Sequence, residues 1–446
     1  YREIGNEDLF GVLKDMELAN LVRGKSSREI LLITGIYARE DGTGDSGVIR
    51  DAPQQLLVEV LAKELEKNYS FALFVAERGT VTKEVVYVLE RQGFIRPHMA
   101  DENDKRTIYM VDMHEPLMFL HNLDTTIKEP FASNPAVLDA VEKNHKKLQI
   151  AMTKLYPGNL VLSLSSGIMY HRLVDRITAL NDVPREPLVP RRLGKNMCVP
   201  FGKILRGKVV PNTVTKTLHT DKVYEPDLNS FTIEPFPYYS PLKSQIETIK
   251  SFDRPVILVD DLVHTANRLQ VLVPQLREDG IPIKKVVVGV LSGYGRDLMQ
   301  CLKVPVESIY SMPNLRQWFV ESTLYPFIGG DTVRREEMKV AGLQPSINMI
   351  LPYATPRLSG CSREALVEFS ACCIENSRDL FQVLEAEYRK MYAKNLTLSR
   401  LSEAVILPLC PDKGSCMEYD ENLAASVYLE NDLETLWRMK EFLIKG

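Results

Sequence analysis

The chain has 446 residues with 55 Lys and Arg against 59 Asp and Glu, and 45% of it is hydrophobic. That length exceeds one ordinary domain, and the apolar fraction is that of a folded globular chain rather than a disordered one. A net charge of −4 without a lysine- or arginine-rich block gives no basis for nucleic acid or an anionic membrane as the main partner.

No window offers the roughly 18 or more continuous apolar residues of a membrane span, and the first residues lack a secretory pattern, so a cytoplasmic location is the expectation. The seven cysteines include no C-x-x-C pair, which favours reduced core thiols over a metal site. The chain opens on Tyr1, as a piece of something longer would.

In chain order, ILLITGIY from Ile30 predicts a β-strand, and QQLLVEVLAKELEKN from Gln54 has the apolar spacing of a helix. SFALFVA from Ser70 predicts a second strand, VTKEVVYVLERQGF a second helix stopped at Gly93, and TIYMVDM from Thr107 a third strand. This order, with Tyr87, Gly93 and Phe94 near its close, resembles the second half of a GCN5-related acetyltransferase. That family's glycine-rich pyrophosphate turn is replaced here by REDGTGDSGVIRDAPQQ, where Asp41, Asp45 and Asp51 would repel a pyrophosphate. A structural remnant spanning 1–113 is the expectation.

Residues 114–140, with prolines at 116, 130 and 135, predict a connector. VLDAVEKNHKKLQIAMTKLY predicts a helix from Val137, NLVLSLSSG a strand from Asn159, and IMYHRLVDRIT a helix from Ile168. Residues 180–245 are the least regular. RPVILVDDLVHTANRLQ, residues 254–270, then predicts a buried strand, a polar turn and a helix, followed by the strand KKVVVGVLSG from Lys284. Alternating strands and helices with short links predict a mostly parallel α/β sheet with ligands at the carboxyl ends of its strands. From about residue 360 the chain predicts long amphipathic helices, the first N-capped by Ser362.

A strand of β-branched and leucine residues running into Asp260 and Asp261 predicts an acidic strand tip that faces a polar ligand, since one aspartate would suffice to cap a turn. Carboxylates accept hydrogen bonds from vicinal hydroxyls, and the following helix start attracts an anion. VILVDDLVHTANRL resembles the phosphoribosyl-diphosphate motif of type I phosphoribosyltransferases. The resemblance implies that Asp260 and Asp261 hold the ribose and that the loop Thr265, Ala266, Asn267 and Arg268 takes the 5′-phosphate. It further implies that the turn Ser165, Ser166 and Gly167 takes pyrophosphate, with Mg²⁺ as cofactor and phosphoribosyl diphosphate or a nucleotide as the small phosphorylated partner.

The loop departs from the family at two points. Ala266 stands where the family has glycine, which makes a positive φ costly by roughly 1 kcal/mol. Arg268 supplies a fixed positive fork in place of a hydroxyl.

On the same resemblance, residues 141–310 form the phosphoribosyltransferase-like domain, and the insert 180–245 forms a hood whose Lys203 and Lys208, among other basic residues, close over phosphates. In the aromatic segment that opens the last region, 311–446, Arg316, Glu321 and Asp331 are the candidate site residues, while Trp318 and Phe327 are expected in the core. Among the histidines, none shows a metal-ligand spacing.

Transfer of a ribose phosphate to an unidentified acceptor is the first functional expectation. A non-catalytic nucleotide or sugar-phosphate sensor is the second. The third is a scaffold part of a larger multidomain protein related to cytidylyltransferases. A homo-oligomer is compatible with each.

Overall fold

The computed structural model describes residues 29–36, 52–96, 106–190, 192–237, 239–335, 340, 342–356, 358–413 and 418–445. The acidic segment containing Asp41, Asp45 and Asp51 therefore lies outside the described residues. Among the described residues the fold is α/β, with three five-stranded sheets.

The first sheet contains β1 (Ile30–Ile33), β2 (Phe71–Glu77), β3 (Arg106–His121), β4 (Asn159–Ser165) and, from far along the chain, β12 (Gln317–Val320). Helices α1 (Ala52–Glu64) and α2 (Lys83–Glu90) link its first strands. β3 continues through residues 114–121, which the sequence suggests as the start of a connector. Pro116 is accommodated because the pairing with β4 shifts register between Asp112 and Leu117, after which LMFLH resumes strand pairing. The second half of β3 runs parallel to both β4 and β12.

Helix α3 (Pro135–Leu155) precedes β4, and α4 (Ser166–Leu180) follows it. Asn134 caps α3 by accepting from the amides of Ala136 and Val137 at 2.9 and 3.3 Å.

The second sheet is wholly parallel, in the order β11 (Val306–Met312), β10 (Ile283–Ser292), β9 (Val256–Val263), β5 (Met197–Pro200), β6 (Val214–Thr215). β5 falls inside the stretch expected to be a hood. Its four residues are too few to show periodicity, yet all are buried between β9 and β6. α6 (Asn267–Glu278) and α7 (Gly293–Cys301) make the two crossovers from β9 to β11.

The strands of this sheet read as continuous apolar runs because both faces are covered. Val256 and Leu258 pack with Leu269, Leu272 and Val273 of α6 and with Ile246 and Ile249 of α5 (Leu242–Lys250). Ile257 and Val259 share a core with Leu57 and Leu61 of α1 and Leu173 and Ile177 of α4. Those two helices also cover the first sheet, so one apolar layer joins the two sheets.

The third sheet has the order β15 (Leu409–Pro411), β14 (Gln344–Ile347), β13 (Asp331–Val333), β7 (Thr220–Tyr224), β8 (Phe231–Pro235). It combines a hairpin from the irregular insert with strands from the last third of the chain. α8 (Arg363–Tyr392), capped by Ser362, packs on α3 and on α9 (Ala425–Lys445). Phe319, Tyr325 and Phe327 fill the core beneath it. Among the described residues no helix is long and apolar enough to cross a membrane, and six cysteines are free thiols.

Candidate functional site at the tip of the parallel sheet

From β5 the chain passes to β6 on one side, and from β9 it passes to β10 and β11 on the other. The strand order therefore reverses between β5 and β9, and in an open parallel sheet the crevice beyond such a point is where ligands bind. β5 ends at Pro200, paired with Val259, whereas β9 continues along β10 as far as Val263. The notch left where β5 stops is occupied by Asp260 and Asp261.

Successive strand residues project to opposite faces, yet both carboxylates reach the turn after β5. A Cβ on Gly202 would lie 2.5 Å from Asp261 Oδ1 and 2.8 Å from Asp260 Oδ1, so any side chain there would have to displace both carboxylates. Asp261 is already engaged: its Oδ2 accepts from the Lys203 amide at 2.6 Å and its Oδ1 from the Ile204 amide at 3.0 Å.

Asp260 is buried, and its Oδ1 accepts from the Asp261 amide at 2.9 Å with Arg268 Nη1 at 3.8 Å. Burial raises its carboxyl to about 7, and the Arg268 guanidinium opposes that rise.

Ala266 adopts φ +51°, the left-handed conformation that the sequence marks as costly, and it serves as the N-cap of α6 without a side-chain bond. Its methyl is buried among Val263, Leu269 and their neighbours, which offsets a strain of roughly 1 kcal/mol by a similar amount of apolar burial. The loop is tied further by Asn267 Nδ2 donating to Thr265 Oγ1 at 2.8 Å and Gln270 Nε2 donating to the Thr265 carbonyl at 3.0 Å. His264 places Nδ1 2.8 Å from Ser292 Oγ and its ring 5.0 Å from that of Trp318.

Asp260, Asp261 and the loop from His264 to Arg268 line a cavity of about 540 Å³ together with Lys203, Lys222, Tyr224 and Asp331. Four cations, Lys203, Arg206, Lys222 and Arg268, interact with four carboxylates, Asp221, Asp260, Asp261 and Asp331. Burial, chiefly, lowers the Lys203 ammonium and raises the Asp331 carboxyl. Lys222 Nζ stands 4.1 Å from the centre of the Phe231 ring. Trp318 faces this cavity, whereas Phe327 is wholly buried in the helical core.

The structure brings together Asp260, Asp261, Thr265, Ala266, Asn267, Arg268, Lys203 and Asp331. Lys203 belongs to the turn after a core strand rather than to a hood. The other candidates lie elsewhere. Lys208 points at the Tyr170 ring on α4, 4.4 Å from its centre. Arg316 is spent on Glu115, on the Ser359 carbonyl and on the Tyr156 ring. Ser165, Ser166 and Gly167 stand at the end of β4 and the start of α4, in the first sheet: Ser165 Oγ accepts from the Ile168 amide at 3.5 Å and Ser166 Oγ donates to Asp124 at 3.2 Å. Glu321 is wholly buried beside His145.

Lys222 adds a further cation to the cavity wall, while Gly202 makes room for the two carboxylates and Arg206 acts on them by charge. The apolar run before Gly202 is the only local signal for that turn, and it is short.

No family model matches the sequence, and no curated protein matches it. Among solved structures, a purine phosphoribosyltransferase from Pyrococcus horikoshii is similar at 13% identity over 35% of this chain and 87% of that chain, with a TM-score of 0.23. Nothing found supports an acetyltransferase-like half-domain.

Proposed function

We propose that this protein binds phosphoribosyl diphosphate or a related ribose phosphate at the tip of β9 and transfers the ribose phosphate to an acceptor. The observation that carries the proposal is the notch at the strand-order reversal, where two carboxylates lie between two cation-bearing turns, 201–206 and 264–268. The free acceptor positions on Asp260 suit ribose hydroxyls. Arg268 and the start of α6 suit the 5′-phosphate, and Lys203 suits a second phosphate on the side of the turn after β5. The turn after β5 thereby takes the role that the sequence suggests for Ser165 to Gly167. Catalysis would rest on positioning and on stabilising the leaving diphosphate as its bond to ribose loosens.

Mg²⁺ suits this site as a partner of the ligand's phosphates rather than as a protein-held ion. It takes one or two carboxylates plus substrate oxygens. No group of three His, Cys, Asp or Glu ligands converges here among the described residues, and Asp261 is already bound to two amides.

A second functional class, a sensor that binds the ligand without turnover, is favoured by one feature: burial raises the Asp260 carboxyl, which weakens it as a hydroxyl acceptor. Single-turnover assays with phosphoribosyl diphosphate, Mg²⁺ and a panel of nitrogenous bases separate the two. Release of diphosphate above the no-acceptor rate supports transfer, whereas binding without release supports the sensor.

A further inference from the structure

A second group of ionisable side chains converges where the first sheet ends. β3 and β12 run parallel and in register, Leu120 opposite Val320, so the residues that follow them, His121 and Glu321, emerge side by side. α3 crosses above and adds His145. The two histidines are 24 positions apart in sequence and the glutamate lies 200 beyond the first, so no local spacing announces the set.

His145 Nδ1 lies 2.6 Å from both Glu321 Oε1 and Glu321 Oε2, and His121 Nδ1 lies 3.8 Å from Oε2. One ligand atom from each residue falls within 4.8 Å of the others. The Glu321 side chain is fully buried, and both its Oε2 and His121 Nδ1 are buried without a hydrogen bond.

An ion pair between His145 and Glu321 accounts for two of the three groups. It leaves His121 turning a buried ring nitrogen towards a carboxylate oxygen that it does not reach. A single cation accepting a lone pair from each would satisfy all three, and leaving such buried polar atoms unsatisfied is costly.

We propose that His121, His145 and Glu321 form a binding site for a divalent transition-metal ion. Two imidazoles and one carboxylate suit zinc, iron or cobalt and not magnesium or calcium, which prefer all-oxygen sets. The supports expected behind metal ligands are present. His121 Nε2 contacts Ser163 Oγ, a hydroxyl able to accept its proton and so leave Nδ1 for a metal, while the Tyr325 hydroxyl donates to Glu321 Oε1 at 3.2 Å and itself accepts from Asn376 Nδ2 at 3.0 Å. Three protein ligands leave a coordination position open, and the two histidines line a cavity of about 180 Å³ that also bears Arg91, Ser163 and Ser165. The Ser165 end of β4, suggested by sequence for pyrophosphate, thus faces this site and not the β9 cavity.

The test uses Co²⁺ as the probe, added to the metal-stripped full chain and followed by its visible d–d absorption and by calorimetry. The expected result is one ion per chain, with an intensity typical of four- or five-coordinate cobalt, displaced by Zn²⁺ and not by millimolar Mg²⁺. Glu321→Gln and His145→Ala should each weaken binding by more than the roughly 10–100-fold that loss of an outer partner costs. Ser163→Ala, which removes no ligand and keeps the proposal testable if the core variants do not fold, should weaken it about tenfold or more. The control His171→Ala, at an exposed histidine on α4, should leave it unchanged. Absence of a 1:1 complex with the folded wild-type chain, or a complex that the folded variants bind equally well, would overturn the assignment. Neither outcome bears on the β9 site.

Discussion

Two sheet tips in this molecule carry ionisable groups, and they differ in where their parts come from. The β9 tip takes its chemistry largely from one stretch of chain: residues 260–268 supply both carboxylates, the loop and the guanidinium, while the turn at 201–206, the third sheet and the ends of β3 and β12 supply the rest of the wall. The β3 and β12 tip draws one ligand from each of three elements that meet only through the pairing of β3 with β12 and the crossing of α3. Their chemistry differs too. The first is a wide cavity balanced between cations and carboxylates, suited to a polar anion, whereas the second is a narrow one with two imidazoles aimed at a buried carboxylate, suited to a cation.

The largest effect that would sharpen this contrast is expected for Gly202→Val. Its side chain would be driven into both carboxylates. Urea unfolding should show a loss of about 1–3 kcal/mol, ribose-phosphate binding should vanish, and any fraction that stays folded should still bind Co²⁺. Equal loss at both sites in a folded variant would show that the two tips are one unit.

Next is Arg268→Met, which removes the charge beside Asp260 while keeping the stem. Affinity for a 5′-phosphorylated ligand should fall about 10- to 100-fold by calorimetry, and the salt dependence of binding should weaken with it. No change would mean that Arg268 serves only to hold the Phe201 carbonyl, which it approaches at 3.4 Å.

The raised Asp260 carboxyl sets a pH dependence. A folded-state value of about 7 against roughly 3.9 in the unfolded chain means that the folded state binds the proton more tightly. Its contribution to stability is therefore fully present below about pH 4 and is lost as pH rises towards 7, with a slope of at most about 1.4 kcal/mol per pH unit. Asp260→Asn should flatten that part of the stability profile and raise the melting temperature at pH 8 relative to wild type.

The smallest effect is expected for Ala266→Gly. It relieves a left-handed backbone but deletes a buried methyl, two terms of roughly 1 kcal/mol each with opposite sign, so stability should move by less than about 0.5 kcal/mol.

The legibility of the molecule follows the same division. VILVDD and the loop after it are contiguous and patterned, and the apolar run predicts a strand covered on both faces, as β9 is. The long helix from Arg363 is likewise written in its cap and its spacing. By contrast, β5 is four residues long, and the third sheet is built from strands of three to five residues drawn from regions more than 100 positions apart, so neither leaves a periodic trace. The continuation of β3 past Pro116 was hidden by a proline that a register shift tolerates. His121, His145 and Glu321 could be found only once the pairing of β3 with β12 was known. The Ser-Ser-Gly turn looked correct locally, because a strand does end and a helix does begin there, but its sheet is not the one that carries the double aspartate.

The most direct test of the central claim is calorimetric titration of phosphoribosyl diphosphate with Mg²⁺ into the wild-type chain and into Asp260→Asn. Binding at one site per chain, weakened at least tenfold in a variant that melts no lower than wild type at pH 8, is the predicted result. No binding to the folded wild-type chain, or equal binding to both, would contradict a ribose-phosphate site at the tip of β9.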